Sequence, residues 1–376
     1  MSEYTQVAAT ASNGDNKYVK TLRLSVNPAR METDEAQAAV AQAAEILRVG
    51  GLVALPTETV YGLGANALDP AAVARIFQAK QRPSWDPIIV HIAGPALHNP
   101  MLDPLVTTFP PVVYELMEKF WPGPLTLLLP RSAAVPDVVT AGRPLVGIRM
   151  PAHPVAFEII RQAGVPIAAP SANVFSHISP TTAAHVLEDL DGKIDAVVDA
   201  GPTRHGVEST VLDPTQSPMM IYRPGAITAQ QIREVAGPVV CYEEKMLPKA
   251  APPEALPSPG IGMRHYAPRA RLIVVEGSLA ELPARLVDAA RPFAHDRLGV
   301  MLPAELARTR FQPPLRGAAE FAWGRWDSPE ELAEKLYAGL RALDAEGCTV
   351  ILCPLPPAEG VGEAIRDRLR KAAYTR

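Results

Sequence analysis

Apolar residues recur at helical spacing along much of the chain, and short apolar runs lie between these stretches. Thr33 or Asp34 can cap a first helix whose apolar positions 36, 40, 43 and 47 share one face, and a second helix begins at Asp69 and ends at Lys80. Strands are predicted at residues 52–55, 87–92, 125–129, 146–150, 167–169, 196–199 and 210–212, and further helices near residues 105–120, 153–163 and 182–190. Because strands alternate with helices, the pattern predicts a layered α/β domain at residues 20–240.

The composition and the apolar pattern of the sequence change after this domain. Residues 241–269 are rich in proline and carry almost no periodic apolar pattern, which is typical of a semi-extended linker. A second alternation follows at residues 270–376, with strands at 272–275, 298–302 and 349–352 and helices at 278–290, 329–343 and from residue 362. Ser328 and Glu331 have the spacing of a capping box. This part resembles a small Rossmann-like domain, but the third glycine of a dinucleotide fingerprint is missing after Gly360 and Gly362.

The composition argues against nucleic-acid-binding, membrane-spanning and secreted proteins. The net charge is −4 and no basic stripe is visible, so the sequence gives no support for a protein that mainly binds nucleic acid. No apolar run reaches the roughly 20 residues of a membrane helix. The first 19 residues are polar, which indicates a flexible tail and not a secretory signal. The three cysteines form no CxxC pair, and we expect a protein of the reducing cytoplasm.

Several familiar catalytic motifs are absent from the sequence. It contains no GxxxxGK[ST] phosphate loop, no HExxH, no paired-cysteine zinc motif and no GxSxG turn. The eight histidines are scattered, so no metal ligands can be assigned from their spacing. The candidate chemistry lies instead in polar residues that follow apolar strands, where open α/β sheets usually bind ligands.

Two of these polar segments lie early in the chain. Residues 56–64, PTETVYGLG, place threonine hydroxyls and a carboxylate between a buried strand and two glycines, and are either a ligand loop or a polar turn. Lys80 lies on the apolar side of its helix and should point toward the sheet, with Arg82 in the loop that follows. Two fixed cations suit a polyphosphate or a carboxylate, although a solvated charge at a helix end is the alternative.

Further polar groups occur in the second half of the first domain. Ser171 and Asn173 are alternate residues, so in an extended segment both side chains would face one way, toward a nucleotide or simply into a turn. Arg149 is a charge inside a strand that is otherwise apolar. A buried arginine needs a partner, and a ligand carboxylate and an internal acidic residue are equally good candidates. Glu208-Ser209-Thr210 and Arg223-Pro224-Gly225 complete the set.

Taken in order, these segments closely resemble the YrdC family of threonylcarbamoyl-AMP synthases. The matching stretches are PTETVYGLG at 56–64, KQRP at 80–83, IIVHI at 88–92, GIRMP at 147–151, PSAN at 170–173, SPTT at 179–182, GVESTVLD at 206–213, YRPGAIT at 222–228 and SPGIGMRHYAP at 258–268. The last of these resembles the junction to the extra C-terminal domain of the long form. The resemblance implies a twisted, open, mixed sheet with helices, followed by a smaller Rossmann-like α/β domain.

The resemblance also implies roles for individual residues. The family's catalytic Lys/Arg/Ser/Asn tetrad corresponds to Lys80, Arg82, Ser171 and Asn173. The implied ATP-binding residues are Lys80, Arg82, Asp86, Ser171, Ser179, Arg223 and Tyr266, the last of which would fold over the nucleotide from the linker. The implied L-threonine-binding residues are Thr59, His91, Arg149, Ala169 and Ser209.

The sequence departs from the family pattern at three places. Gln81 stands where the family often has glycine, and Asp86 stands where it often has asparagine. The charge of Asp86 would lie near the phosphates unless it helps to hold magnesium. Residues 174–178 replace a more usual Ser-Gly turn, which leaves the shape of this loop open.

By the resemblance, the chain makes threonylcarbamoyl-AMP from L-threonine, bicarbonate and ATP with Mg²⁺. The product would pass to the transferase machinery that modifies tRNA, without stable tRNA binding or membrane attachment. The missing nucleophile motifs agree with this chemistry, which needs no covalent enzyme intermediate. One alternative is an RNA-binding or ribosome-assembly factor of the same fold. A second is a carbamoyl-transfer domain of hydrogenase maturation, which would bring zinc-finger and acylphosphatase-like segments. The C-terminal domain is expected to be a regulatory or docking module.

Overall fold

A computed structural model describes residues 20–242, 256, 258 and 265–374. The predicted tail at residues 1–19 and most of the predicted linker lie outside these residues. The described part contains a sheet of eleven strands in the N-terminal region and a sheet of four strands in the C-terminal region. The predicted class, a mixed α/β fold with a smaller second α/β unit, is confirmed.

The large sheet mixes parallel and antiparallel neighbours. The strands are β1 (Leu22–Ser25), β2 (Val53–Leu55), β3 (Gly62–Asn66), β4 (Val90–His91), β5 (Leu125–Pro130), β6 (Leu145–Arg149), β7 (Ile167–Ala168), β8 (Ala196–Asp199), β9 (Thr210–Asp213), β10 (Met219–Arg223) and β11 (Val239–Cys241). Their spatial order is β1-β8-β2-β3-β7-β4-β6-β5-β9-β10-β11. The pairs β4–β6 and β5–β9 are parallel, whereas β7 is antiparallel to β3 and to β4.

Helices cover both faces of this sheet. The helices are α1 (Asp34–Arg48), α2 (Pro70–Lys80), α3 (Val112–Phe120), α4 (Asp137–Thr140), α5 (Pro154–Ala163), α6 (Ala183–Leu190) and α7 (Ala229–Ala236). One apolar cluster joins α1 and α5 to one face of the sheet, and a larger cluster joins α2, α3, α6 and α7 to the other face. The side chains of Thr33 and Asp69 cap α1 and α2, as the sequence predicts.

The C-terminal unit is a small parallel sheet flanked by helices. The strands are β12 (Arg271–Val275), β13 (Leu298–Pro303), β14 (Ala319–Gly324) and β15 (Val350–Pro354), and the helices are α8 (Leu282–Ala290), α9 (Pro329–Ala345) and α10 (Gly362–Ala373). The strand order is β12-β15-β13-β14, and all three neighbouring pairs are parallel, which agrees with the predicted Rossmann-like arrangement.

Several element predictions are wrong in detail. The strand predicted at 87–92 is regular only at Val90–His91, and the helix predicted from residue 105 begins at Val112, after Pro110 and Pro111. The two glycines of the PTETVYGLG segment lie in strand β3 and not in a turn. The capping box at Ser328 does not form. The Glu331 carboxylate that it requires bonds instead to Arg325 and Lys335.

The two units pack closely against each other. A second apolar core joins Val60, Ile178 and Val207 of the first unit to Leu332 and Leu336 of α9. Gly206 lies at this junction with φ +63°, and a Cβ atom added to it would lie 2.2 Å from the carbonyl oxygen of Ala333. The junction therefore requires glycine at this position for two reasons, the positive φ and the close approach of α9.

We predict that Gly206→Ala lowers the free energy of unfolding by about 3 kcal/mol or more, because the methyl group displaces α9 and also strains the backbone. Gly142→Ala is the matched control. Gly142 has φ +76° but nothing within 4 Å of an added Cβ, so only the backbone cost of about 1 kcal/mol applies. Urea unfolding of both variants checks this, and equal losses would contradict the proposed contact with Ala333.

Candidate active site

Most of the predicted site residues meet around one cavity. Its volume is about 50 Å³, and it lies where the N-terminal sheet, the loop at 169–173 and the end of the linker meet. All five residues assigned to L-threonine line it, together with four of those assigned to ATP. These nine residues are Thr59, His91, Arg149, Ala169, Ser209, Arg82, Ser171, Arg223 and Tyr266. Lys80, Asp86, Asn173 and Ser179 do not line it.

Lys80 is buried beneath the loop that carries Ser171 and Asn173. It ends the apolar side of α2, and its Nζ donates hydrogen bonds to the carbonyl oxygens of Ser171 (2.6 Å) and Asn173 (2.5 Å). Burial, and secondly the charge of Arg82, lowers the pKa of Lys80 well below its ordinary value. The expectation that Lys80 points toward the sheet is confirmed. Its contacts fix the loop, and its role toward phosphates stays a prediction.

Gln81 gives the chain the turn that follows Lys80. Its φ is +52°, in the left-handed region, and it ends α2. This conformation explains why glycine suits the position, since glycine adopts positive φ without steric cost. Beyond the turn, Arg82 enters the cavity wall.

Arg82 is held by a buried ion pair. Its Nη2 lies 2.9 Å from a carboxylate oxygen of Asp86 and also donates to the carbonyl oxygen of Pro87 at 2.7 Å. The negative charge of Asp86 is therefore compensated inside the protein and does not face the cavity. The second carboxylate oxygen of Asp86 is buried and has no hydrogen-bond partner.

Arg149 also has an internal partner. The sequence left open a ligand carboxylate or an acidic residue, and the structure places Glu58 at 2.6 Å from Nη2. Nη1 donates to the Thr59 hydroxyl at 2.9 Å, and Nε donates to the Gly123 carbonyl at 3.3 Å. Burial opposes the ionisation of Glu58, but the guanidinium of Arg149 outweighs it and lowers the pKa of this carboxyl. Sequence reasoning noted the carboxylate of Glu58 and gave it no role.

Ser209 and Arg223 form a third buried contact at the cavity. Arg223 donates through Nη2 to the Ser209 hydroxyl and through Nε to the Ser209 carbonyl, both at 3.1 Å. The same hydroxyl lies 2.8 Å from that of Thr126. Arg223 is the last residue of β10 and Ser209 immediately precedes β9, so the antiparallel pairing of these strands brings them together.

Ser171 and Asn173 do not face the same way. Ser171 lines the cavity, whereas the Asn173 amide donates to the carbonyl oxygens of Val174 and His177. The expectation of a common direction is wrong because the chain bends after Ser171 and does not continue as an extended strand. Ser179, expected to bind the nucleotide, instead donates to Glu208 at 2.6 Å.

The described end of the linker covers the cavity. His265 and Tyr266 both line it, with ring centroids 4.2 Å apart, and Tyr266 has φ +62°. Ser176 accepts a backbone hydrogen bond from Ala267 at 2.9 Å, and the Phe175 ring packs edge-on against His265. The loop at 174–178, whose shape the sequence left open, therefore holds the end of the linker.

The electrostatics of the site favour an anionic ligand. Arg82, Arg149 and Arg223 line one small cavity, and each is more than nine-tenths buried. Such cations bind carboxylates and phosphates more strongly than exposed ones do, because water screens them less. Among the described residues, no group of three or more His, Cys, Asp and Glu side chains is arranged to hold a metal.

His91 is kept neutral by its surroundings. Burial, helped by the charge of Arg149, lowers its pKa to about 3, while an unfolded histidine titrates near 6.5. The unfolded chain therefore binds a proton that the folded chain does not, and the stability contributed by neutral His91 is lost as the pH falls from about 6.5 toward 3.

We predict that the free energy of unfolding decreases between pH 7 and pH 5, and that His91→Gln makes this decrease shallower by up to about 1.4 kcal/mol per pH unit. Urea unfolding at several pH values measures both slopes. His295→Gln serves as control because His295 is exposed in the folded chain. A slope in His91→Gln equal to that of the wild type would contradict the assignment of a neutral buried imidazole.

Comparison with known proteins shows relatives that match most of the chain. A family model described as "Telomere recombination" matches residues 45–225, and one described as "Threonylcarbamoyl-AMP synthase, C-terminal domain" matches residues 227–374. The chain is 42% identical to the threonylcarbamoyl-AMP synthase of Pyrococcus abyssi, over 88% of this chain and 93% of that protein. It is 44% identical to that of Bacillus subtilis, over 89% and 92%.

A solved structure gives the same result for the fold. The crystal structure of P. abyssi Sua5 complexed with L-threonine superposes with a TM-score of 0.83 at 40% identity, and the match covers 94% of this chain and 98% of that one. With two family models and relatives matched over most of both lengths, the chain belongs to the threonylcarbamoyl-AMP synthase family.

Proposed function

We propose that this chain converts L-threonine, bicarbonate and ATP into threonylcarbamoyl-AMP, pyrophosphate and water. The observation that carries the proposal is the convergence of three buried arginines, Arg82, Arg149 and Arg223, on one cavity. The reaction brings a carboxylate, a carbamate and a triphosphate together, and fixed cations are what such anions need. A cavity that binds anions could support several reactions, and membership of the synthase family favours this one.

The chemical steps require positioning and charge stabilisation. Bicarbonate takes up a proton and loses water to give CO2. The threonine amine attacks this CO2, which forms the new C–N bond of a carbamate and releases a proton that balances the one taken up. A carbamate oxygen then attacks the α-phosphorus of ATP, and the bond from that phosphorus to the β-phosphate oxygen breaks to release pyrophosphate. No enzyme nucleophile takes part.

We assign the threonine end of the cavity to Thr59, His91, Arg149 and Ser209. Arg149 would hold the threonine carboxylate, and its bonds to Glu58 and Thr59 orient the guanidinium for this task. His91 is neutral, so it can accept a hydrogen bond from the amine without repelling it. A relative of this chain has been crystallised with L-threonine, which supports the assignment.

We assign the phosphate end to Arg82 and Arg223, with Ser171 beside them. Lys80 would act by fixing the loop that carries Ser171, since its ammonium bonds two carbonyls of that loop. Asp86 is paired with Arg82 and lies outside the cavity wall, and the part of the chain that the structure describes holds no carboxylate cluster arranged for a resident magnesium ion. Magnesium would arrive with ATP, bound to its phosphates.

Binding of ATP would require the cavity to open. Its volume of about 50 Å³ is far below the roughly 300–1,000 Å³ of pockets that enclose drug-sized ligands. His265 and Tyr266 line the cavity from the described end of the linker, so we propose that these two side chains move away to admit ATP and return to exclude water from the mixed anhydride.

The remaining expectations concern where the protein is located and where its product goes. Among the described residues no helix has both the length and the apolar character needed to cross a membrane. The three cysteines are not joined in disulfides, which supports a cytoplasmic enzyme. We propose that its product passes to the machinery that transfers the threonylcarbamoyl group to tRNA. The RNA-binding alternative gains no support from a cavity lined by buried arginines.

The experiment that tests the proposal is pyrophosphate release from MgATP, with L-threonine and bicarbonate omitted in turn. We expect release only when both are present. Release without threonine would mean another acceptor or a simple nucleotidase. No release, together with tRNA binding, would favour the RNA-binding alternative.

We predict that Arg82→Ala lowers turnover by about 100-fold or more, because a cation fixed near the reacting phosphates is lost. Lys80→Ala should lower turnover similarly by releasing the Ser171 loop. The matched control is Arg75→Ala on α2, where Arg75 pairs with Asp195 at the surface. Steady-state pyrophosphate release and circular dichroism measure activity and folding, and turnover of Arg82→Ala near the control value would contradict the role.

We predict that Arg149→Lys raises the KM for L-threonine at least about 10-fold and changes the KM for MgATP much less. A lysine ammonium lacks the planar fork that bonds Glu58, Thr59 and Gly123 together. Arg161→Lys, at an exposed pair with Glu158, is the control. An unchanged KM for threonine would contradict the assignment.

A further inference from the structure

Glu208 joins the cavity to the C-terminal unit. It forms part of the cavity wall with Arg82 and Arg223. Its carboxylate accepts hydrogen bonds from Tyr337 of α9 at 3.1 and 3.0 Å and from Arg368 of α10 at 2.8 Å. Both of these partners belong to the C-terminal unit, and Ser179 of the N-terminal unit donates to the same carboxylate at 2.6 Å.

The charge of Glu208 poses a problem for a site that takes a triphosphate. Burial opposes its ionisation, but Arg368 and then Arg223 outweigh burial and lower its pKa to about 2, so the group is a carboxylate at neutral pH. A carboxylate in the wall of a phosphate site repels the ligand unless a cation compensates it. Arg368 lies in direct contact with Glu208 and is 1% exposed.

Arg368 is held in a fixed position by further contacts. It donates to the carbonyl oxygen of Pro224 at 2.9 Å, and its guanidinium lies 5.2 Å from the centroid of the Tyr266 ring. Tyr337 stacks on the same ring, with centroids 5.8 Å apart. The two residues that bond Glu208 thus also pack against the part of the linker that covers the cavity.

The effect of these contacts extends to Arg223. Glu208 is followed directly by Ser209, whose hydroxyl and carbonyl oxygens both accept hydrogen bonds from Arg223. Fixing Glu208 therefore fixes the acceptors that orient Arg223. Without Arg368, the free charge of Glu208 would compete with a phosphate for Arg223.

We propose that Arg368 and Tyr337 complete the nucleotide site, with Arg368 as a positioning residue that compensates and orients Glu208. The C-terminal unit is then an integral part of the catalytic site and not only a regulatory or docking module. This inference rests on the proposed function, since it takes the ligand at Arg82 and Arg223 to be ATP.

The test uses the full-length protein and compares Arg368→Gln with Arg370→Gln. Arg370 lies two residues further along the same helix and is exposed, so its loss removes the same charge without touching Glu208. We expect Arg368→Gln to weaken MgATP binding, measured by calorimetry, and to raise the KM for MgATP at least about 10-fold, with a much smaller change in the KM for L-threonine. Arg370→Gln should match the wild type.

The decisive variant is Glu208→Gln combined with Arg368→Gln. If Arg368 acts by compensating Glu208, removal of both charges restores most of the MgATP affinity that Arg368→Gln loses. Equal affinity in Arg368→Gln and wild type overturns the inference. Weak binding that Glu208→Gln does not relieve also overturns it, because it would show that Arg368 does not act by compensating the charge of Glu208.

Tyr337→Phe keeps the inference testable if Arg368→Gln does not fold. It removes one hydroxyl from the Glu208 carboxylate and keeps the ring that stacks on Tyr266, and we expect MgATP binding weaker by about 3- to 10-fold. Unchanged MgATP affinity would count against the inference. A wild-type protein that binds no MgATP would instead refute the proposed function, so the two failures are distinguishable.

Discussion

Cations buried around one small cavity must have partners inside the protein before any substrate arrives. An isolated buried charge costs several kcal/mol even after the protein relaxes, so each cation brings its own acceptors. Asp86 forms an ion pair with Arg82, Glu58 with Arg149, and Glu208 with Arg368. Much of the local structure around the site follows from meeting this requirement.

The partners differ in what they leave for a ligand. Arg223 is held by the neutral oxygens of Ser209, so these hydrogen-bond acceptors do not reduce its positive charge at the cavity. Arg82 and Arg149 are held by carboxylates that lie outside the cavity wall, which fixes their direction and reduces their net charge. Glu208 is different because it lies in the wall itself. The cavity can favour a polyanion only if that one carboxylate is compensated, and its cation comes from another part of the chain.

Sequence patterns predicted what depends on local order. The caps of α1 and α2, the alternation of strands and helices, and the inward direction of Lys80 all follow from residues close together in the chain. The assignment of nine cavity residues to ATP or L-threonine came from the family resemblance, which carries information about folded relatives. The sequence pattern alone had already singled out Arg82, Arg149 and Ser171. The different surroundings of the Ser171 and Asn173 side chains were missed because they depend on a bend set by tertiary contacts.

The contacts of Glu208 could not be predicted from the sequence for the same reason. Arg368 lies 160 residues away from it and Tyr337 lies 129 residues away, and neither stands in a motif. The failed capping box at Ser328 shows the converse, since a correct local motif lost Glu331 to two neighbouring cations. Local rules fail where a side chain has a better partner elsewhere in the fold.

The placement of Glu208 also links closure of the cavity to docking of the C-terminal unit. Tyr266 covers the cavity in a left-handed conformation that costs a tyrosine roughly 1–2 kcal/mol, so it needs compensating contacts. Tyr337 and Arg368 supply those contacts, and the same two side chains bond Glu208. A movement that lifts Tyr266 therefore exposes the groups that hold Glu208. Because the contacts are shared, we expect the lifting of Tyr266 and the loosening of the junction between the units to be thermodynamically coupled, so a ligand that favours one position of Tyr266 would favour the matching state of the junction.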